Sequence, residues 1–404
     1  MGTMTGVRVL EVASWTYVPA AGAVLAEWGA DVIKVEDPET GDPQRGLVTS
    51  GLVPTGPGGV NHMIELPNRG KRSVGLDLKS EEGRDVLLEL AATSDVFLTN
   101  MRPSAIRSLR PDVEDLRAAN PRIIYVRGTG QGVEGPESEK GGFDGSHFWG
   151  RTTAGLYAVP EGQFPPGQPG PGWGDLQGGL TIAGGIAAAL FARERTGEPS
   201  VVDNSLLANG MWAGSATIMA AGIFGFDQMP AMDRSAVPNP LVGYYRCGDD
   251  RYLTLMMLQS DRWWPDLIER LGHPELADDP RFADARARSE HKVECMAALD
   301  EIFASRPLRE WRERLADAEG VWAAVETPGE LLDDPQALAN GYVRDVEASS
   351  GTTFRMIPSP IQFDGVPPDL VRAPEHGEHT DEVLGELGIT GERLLELKIS
   401  GAVL

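Results

Sequence analysis

Two cysteines in 404 residues, Cys247 and Cys295, exclude a disulfide framework and match no spaced zinc-ligand pattern. Cationic side chains are scarce as well: 36 Lys and Arg stand against 60 Asp and Glu, a formal charge of −24. A field of that sign repels nucleic acid and anionic membrane surfaces, so neither is expected as a partner. An anionic small molecule needs a local basic pocket to offset it. Long apolar runs are missing. The longest, around Thr181 to Ala192, falls short of the roughly 20 residues that span a bilayer and ends in Arg193-Glu194-Arg195. The opening MGTMTGVRVLEVAS lacks the basic region and apolar stretch of a secretory leader. With so little cysteine, a reducing cytoplasm is the expected setting.

What is present, 41% hydrophobic and 24% charged residues, is ordinary for a soluble globular protein. The length exceeds what one core usually organises. VRVLEVA reads as a strand, PAAGAVLAEWG as a helix ending at Gly29, and ADVIKVE as a second strand. SVGLDL, EEGRDVLLELAATS, DVFLTNM and PRIIYVRGTG continue the alternation, so the expected class is α/β with a Rossmann-like large domain. Beyond Gly135 a Gly/Pro-rich stretch that includes QFPPGQPGPGWG reads as a long loop. Helical periodicity returns from Leu176 to about Arg195 and resumes over VVDNSLLANGMWAGSATIMAAGIFG. Near Phe226 the texture changes. VGYYRCGDDRYLTLMML predicts two strands joined by Gly248-Asp249-Asp250, and amphipathic helices follow. Residues 226–330 are therefore expected as a small α+β domain inserted into a large one made of 1–225 and 331–404. In the tail, DVEASSGTTFRMIP and PIQFDG are predicted strands and HTDEVLGELG a helix.

Four groups of residues carry chemistry worth weighing. Gly130-Gln-Gly132-Val-Glu-Gly135 has the spacing of a dinucleotide fingerprint, but no helical period follows it, and that fingerprint works through a helix N-terminus. His376 and His379 flank a carboxylate like a metal site, yet Thr380 with Asp381 and Glu382 reads better as the start of a helix. Basic residues between Asn68 and Arg107, among them Lys71, Arg72, Lys79, Arg102 and Arg107, lie near predicted strand ends and suit a phosphate-bearing ligand or a solvated surface. Asp175, between Gly172, Gly174, Gly178 and Gly179, is placed either to cap the helix that follows or to react. Each glycine costs that helix roughly 1 kcal/mol relative to alanine. Something close to the backbone is needed to explain them.

Segments along nearly the whole chain resemble the class III CoA transferases, a family that includes the α-methylacyl-CoA racemases. They are Gly6-VRVLEVA with Pro19, Gly29-Ala-Asp-Val-Ile-Lys-Val-Glu36, Gly41-Asp-Pro43 with Arg45, Asn68-Arg-Gly-Lys-Arg-Ser73, Leu76-Asp-Leu-Lys79, Ser94-Asp-Val-Phe-Leu-Thr-Asn100 with Arg102-Pro103, Asn120-Pro-Arg-Ile-Ile-Tyr125, Gly142-Phe-Asp144 and Gly174-Asp175. The resemblance implies that Asp175 is a nucleophile that passes through a mixed anhydride and an aspartyl-CoA thioester. It implies an acyl-CoA and a carboxylic acid as substrates, no tightly bound cofactor and no metal, and an intertwined homodimer. For CoA contacts it points to Trp15, Leu76, Lys79, Arg102, Arg107 and, on a looser alignment, Lys140. Thr16 stands where the family often has a glutamine that helps hold the intermediate.

Local chemistry adds expectations: a helix N-terminus keeping Asp175 ionised, and glycines admitting a bulky thioester. The racemase branch needs a histidine before the aspartate that matches Asp144. Phe143 stands there, with His147 four residues on. A CoA-binding protein without catalysis is a further alternative. Trp15, Tyr17, Trp149, Trp173 and the pair Tyr244-Tyr245 would either line an acyl pocket or fill the core.

Overall fold

A computed structural model describes residues 2–109, 111–157, 163–228 and 234–404. It divides into two units, Met1–Met229 with Pro335–Leu404 and, separately, Pro230–Asp334. The first is built on six parallel strands: β1 (Arg8–Val12), β2 (Asp31–Glu36), β3 (Arg72–Gly75), β4 (Val96–Thr99), β5 (Ile124–Thr129) and β6 (Val201–Ser205). Their order is β3-β2-β1-β4-β5-β6, the doubly wound Rossmann arrangement. The chain leaves the centre in one direction and returns to continue in the other, which opens a crevice beyond the carboxyl ends of β1 and β4.

Strands apolar on both faces require cover on both faces. Val9, Val32, Val96 and Val126 pack toward α1 (Tyr17–Glu27), and Leu10, Ile33, Phe97 and Tyr125 toward α2 (Glu81–Ala92) and the helices Thr380–Glu386 and Gly391–Ile399. The first of these layers is completed by α3 (Trp173–Thr196), which lies along α1. From β6 the chain enters α4 (Leu206–Ala213) and α5 (Ser215–Phe224). A hairpin of β10 (Arg344–Glu347) and β11 (Thr353–Met356) belongs to the same unit. The second unit pairs β7 (Val242–Arg246), β8 (Tyr252–Met256) and β9 (Trp322–Ala324) antiparallel, around a core with Trp264, Phe303 and Trp311.

Four elements differ from the sequence expectation. VVDNS is a strand, because its two β-branched residues are placed where β5 still has a free edge. The long loop contains a π-helical segment, Asp144–Thr153. PIQFDG forms no strand, only an isolated bridge between Phe363 and Val366. Helix α3 runs 24 residues and contains an 18-residue window of mean hydropathy 1.3, so by length and composition it could cross a membrane, contrary to the shorter reading of its apolar run. Its buried Ile182, Ala183 and Ile186 instead join the sheet's core.

Candidate active site

The start of α3 shows how Asp175 is held. Its N-cap is Gly172, left-handed at φ +71°, and no side chain of its own caps it. Asp144 does so from a distance, with Oδ1 accepting the Gly174 N–H at 3.0 Å and the Trp173 N–H contributing as well. Capping is therefore Asp144's part, not Asp175's. Asp175 sits in the first turn with Oδ1 buried and unpaired among the described residues, as is Asp144 Oδ2. Burial, and after it the nearby Asp144, push the Asp175 carboxyl up to about 7. The expectation of a carboxylate kept ionised by the helix terminus meets an opposing pull here, since two of the terminal N–H groups are taken by Asp144 and burial favours the protonated form. Burial also raises the Asp144 carboxyl, against the pull of those two N–H groups.

The glycines have a structural cause. A Cβ on Gly174 would lie 2.1 Å from the Phe148 ring, one on Gly178 2.3 Å from the Tyr17 ring, and one on Gly179 2.6 Å from Ala20 Cβ. They let α1 and the π-helical segment close on α3, and the room expected for a thioester is filled by protein. Gly172 differs. The Cβ it lacks would lie 3.2 Å from the Thr16 methyl Cγ2 and 4.0 Å from Asp175 Cβ, so the Thr16 methyl packs over the turn that precedes Asp175.

Thr16 follows a strained corner. Trp15 adopts φ +69°, rare for a bulky side chain and costing roughly 1–3 kcal/mol. Its N–H donates to Asp42 Oδ1 at 3.2 Å, and its ring meets Phe143 edge to face with centroids 5.5 Å apart. Asp42 is fixed by the fully buried Lys34, 2.9 Å from Oδ2. The Tyr17 hydroxyl donates to Asn204 at 2.5 Å, and burial, then the Asp175 charge, raise its pKa so that it stays a phenol.

Beyond the carboxyl ends of β1 to β4 lies a cavity of about 320 Å³, lined by Ser14, Asp37, Asp42, Asn100 and, among the expected ligand contacts, Leu76 and Lys79. That volume fits one end of a nucleotide rather than a whole CoA. Lys79 is exposed, 3.6 Å from Asp37. Trp15 and Arg102 adjoin lining residues without lining the cavity, and Arg102 is exposed. Arg107 pairs with Glu139 at 2.6 Å and Lys140 with Glu137 at 2.7 Å, both on the surface. The rest of the basic cluster is structural: Arg69 bonds Glu27, Lys71 is buried 2.8 Å from Glu11, and Arg72 holds Asp31 and Glu386.

The other sequence candidates go elsewhere. No helix follows Gly130–Gly135, and Gly130 closes against Gly142, so nothing there faces a pyrophosphate. His376 Nε2 bonds the Asp37 carbonyl at 2.9 Å, and His379 Nδ1 accepts the Ser73 N–H at 3.3 Å. Both hook the tail to the sheet. Thr380 is inside its helix rather than capping it, its hydroxyl bonding the Gly377 carbonyl. Phe143 offers no proton acceptor. His147 bonds Ser146 at 2.7 Å, and burial, with Arg151 nearby, lowers its pKa. Trp149 and Trp173 line a cavity with Tyr157. Trp173 stands about 200° around α3 from Asp175 at 3.6 residues per turn, on the opposite face. Asp42, Gln44 and the capping part of Asp144 were not foreseen. Their motifs, Gly41-Asp-Pro43 and Gly142-Phe-Asp144, were visible, but nothing local announces a partner 27 or 30 residues away.

Comparison with known proteins gives a consistent picture. The profile of CoA-transferase family III matches residues 4–380. The chain is 31% identical to the cinnamoyl-CoA:phenyllactate CoA-transferase of Clostridium sporogenes, over 98% of this chain and 95% of that protein. It is 29% identical to the (R)-2-hydroxy-4-methylpentanoate CoA-transferase of Clostridioides difficile, over 99% of each. Among solved structures, a CAIB/BAIF family protein from Brucella suis superposes with a TM-score of 0.81 at 28% identity, covering 96% of this chain and 99% of that one.

Proposed function

The chain belongs to CoA-transferase family III, and on that premise we propose that it moves CoA from an acyl-CoA to a carboxylic acid through covalent intermediates on Asp175. An Asp175 oxygen attacks the thioester carbon; the C–S bond breaks, leaving a mixed anhydride and CoA thiolate. The thiolate attacks Asp175 Cγ, expelling the donor as a carboxylate and forming an aspartyl-CoA thioester. The acceptor carboxylate then attacks Cγ and releases the thiolate, which takes the new acyl group and frees Asp175. No net proton is gained or lost, and each step exchanges bonds of similar energy.

The observation that carries this reading is the buried, unpaired Oδ1 of Asp175. Unsolvated and without a hydrogen bond, it is a stronger nucleophile once ionised than a capped carboxylate. The thioester's CoA moiety would extend toward the cavity with Leu76 and Lys79.

For the acid we propose an aromatic or branched carbon skeleton. Phe143 and Trp15 immediately precede Asp144 and Thr16, and Phe143 is 59% exposed, an apolar wall next to the reacting groups. The acids named for the two clostridial relatives are of this kind. We also propose a homodimer, supported by α4 and α5, which leave Trp212 81% and Phe224 77% exposed.

The test is CoA exchange between cinnamoyl-CoA and a panel of carboxylic acids. Turnover by the wild type and none by Asp175→Asn, with CoA binding retained, is the expected result; equal turnover by both would overturn the reading.

A further inference from the structure

The turn between β1 and α1 is clamped at four consecutive backbone groups. Lys34 Nζ donates to the Ala13 carbonyl at 2.7 Å, and Asp42 Oδ1 accepts the Trp15 N–H at 3.2 Å. Between them, Asn100 accepts the Ser14 N–H at 3.1 Å and donates to the Ser14 carbonyl at 2.6 Å. The two outer clamps are one unit, since Lys34 and Asp42 form an ion pair at 2.9 Å with both side chains buried. The neighbouring carboxylates have cations of their own: Glu11 meets Lys71 as well as Lys34, and Glu36 is held by Arg45. A buried pair is a weak source of stability once desolvation is counted. What this one does is hold Trp15 at φ +69°, an angle that a bulky side chain keeps only where its surroundings impose it.

The clamped corner touches the Asp175 turn on two sides. The Thr16 methyl packs over Gly172, the N-cap of α3, and the Trp15 ring meets that of Phe143, whose neighbour Asp144 accepts the Gly174 N–H. From this geometry we infer that Asp42, with Lys34, is a positioning residue for the transfer reaction. The pair holds the Trp15 corner, and the corner seats the first turn of α3 so that Asp175 stays buried where it reacts. The inference rests on Asp175 being the nucleophile. A displacement of about 1 Å at a reacting group is worth on the order of 100-fold in rate, so loosening the clamp lowers kcat. Lys34 is not among the residues that line the cavity with Leu76 and Lys79, so its loss leaves KM for the acyl-CoA near its starting value.

The test compares Asp42→Asn with Lys34→Gln, each read as kcat, KM for the acyl-CoA and the pH midpoint of the single-turnover rate. Removing an anion and removing a cation change the local field in opposite senses, so a field effect would lower the midpoint in the first variant and raise it in the second. A loosened turn admits water to Asp175 and relieves its burial, which lowers the midpoint in both. The expected result is a kcat about tenfold lower in each variant, with both midpoints moved down by about half a unit or more. Opposite shifts, an unmoved midpoint or an unchanged kcat would each overturn the inference. If Lys34→Gln does not fold, Asp42→Asn is read again in a Trp15→Gly background. Glycine holds φ +69° without strain, so adding Asp42→Asn there is expected to lower kcat by about threefold or less, and a tenfold fall would contradict the clamp. Hydroxylamine trapping separates the two levels. No activated carboxyl at Asp175 in the wild type removes the underlying reading, whereas trapping at equal rates in the wild type and Asp42→Asn removes only the part given to the clamp.

Discussion

The two edges of the six-stranded sheet differ in what their carboxylates do. At the amino ends of the strands, Arg8 and Arg72 share Asp31 and Glu386, and Arg193 reaches Asp95 at 2.8 Å. These pairs join β1, β2, β3, α3 and the last helices of the unit. At the carboxyl ends, Asp144 and Asp175 each keep a buried oxygen without a partner among the described residues, and Trp15 holds a strained backbone angle. At the amino edge charge serves to tie elements together, whereas at the carboxyl edge pairs such as Lys34 with Asp42 stand beside two carboxylates that each leave an oxygen unmatched. The comparison also explains why a run of basic residues misleads: Arg69, Lys71 and Arg72 serve the structural side of the unit.

The sharpest way to break this contrast is at Asp175. Asp175→Asn is expected to lower turnover on the order of 10⁴-fold or more, measured by CoA exchange, while leaving the fold intact. It should also gain stability. A carboxyl raised to about 7 in the fold ionises at a cost, so its favourable contribution is present below pH about 4 and is lost as pH climbs through 7. Denaturant midpoints above pH 7 should therefore favour the asparagine variant, with the gap closing in acid.

Within α3 the same contrast appears as two glycines. Gly178→Ala forces a methyl into the Tyr17 ring and is expected to cost about 1–3 kcal/mol by urea unfolding. Gly184→Ala, with nothing within 4 Å, should stabilise the protein by about 0.5–1 kcal/mol.

Asp144→Asn sharpens the electrostatic side. An asparagine oxygen can still accept the Gly174 N–H, but its charge is gone. The single-turnover rate of the wild type is expected to rise with pH around a midpoint near 7, since only ionised Asp175 attacks, and the variant's midpoint should move to lower pH. Burial is the larger cause of the raised value, so part of the elevation should persist. An unmoved midpoint would mean that Asp144 acts as a cap alone.

At the structural edge the effect falls on stability alone. Arg72→Ala is expected to cost about 1 kcal/mol of stability and to leave kcat unchanged.

The α/β class and the first five strands were legible because an apolar strand and a periodic helix declare themselves within a dozen residues. Val201–Ser205 was not, since its identity as a strand comes from the open edge of β5. Asp175 stood out by its glycines, although they turned out to serve helix packing against Tyr17, Ala20 and Phe148. Its capping partner could not be read, because Asp144 reaches α3 from another segment. Charges misled where pairing is long-range: Arg72 finds Glu386 across 314 residues, and no spacing rule announces that.

The central claim is that Asp175 becomes covalently acylated. Peptide mass spectrometry of the protein mixed with cinnamoyl-CoA, with and without hydroxylamine, tests it directly. The account predicts a CoA thioester, or a hydroxamate after trapping, on the peptide that carries Asp175. CoA exchange proceeding at full rate while that peptide stays unmodified would contradict it.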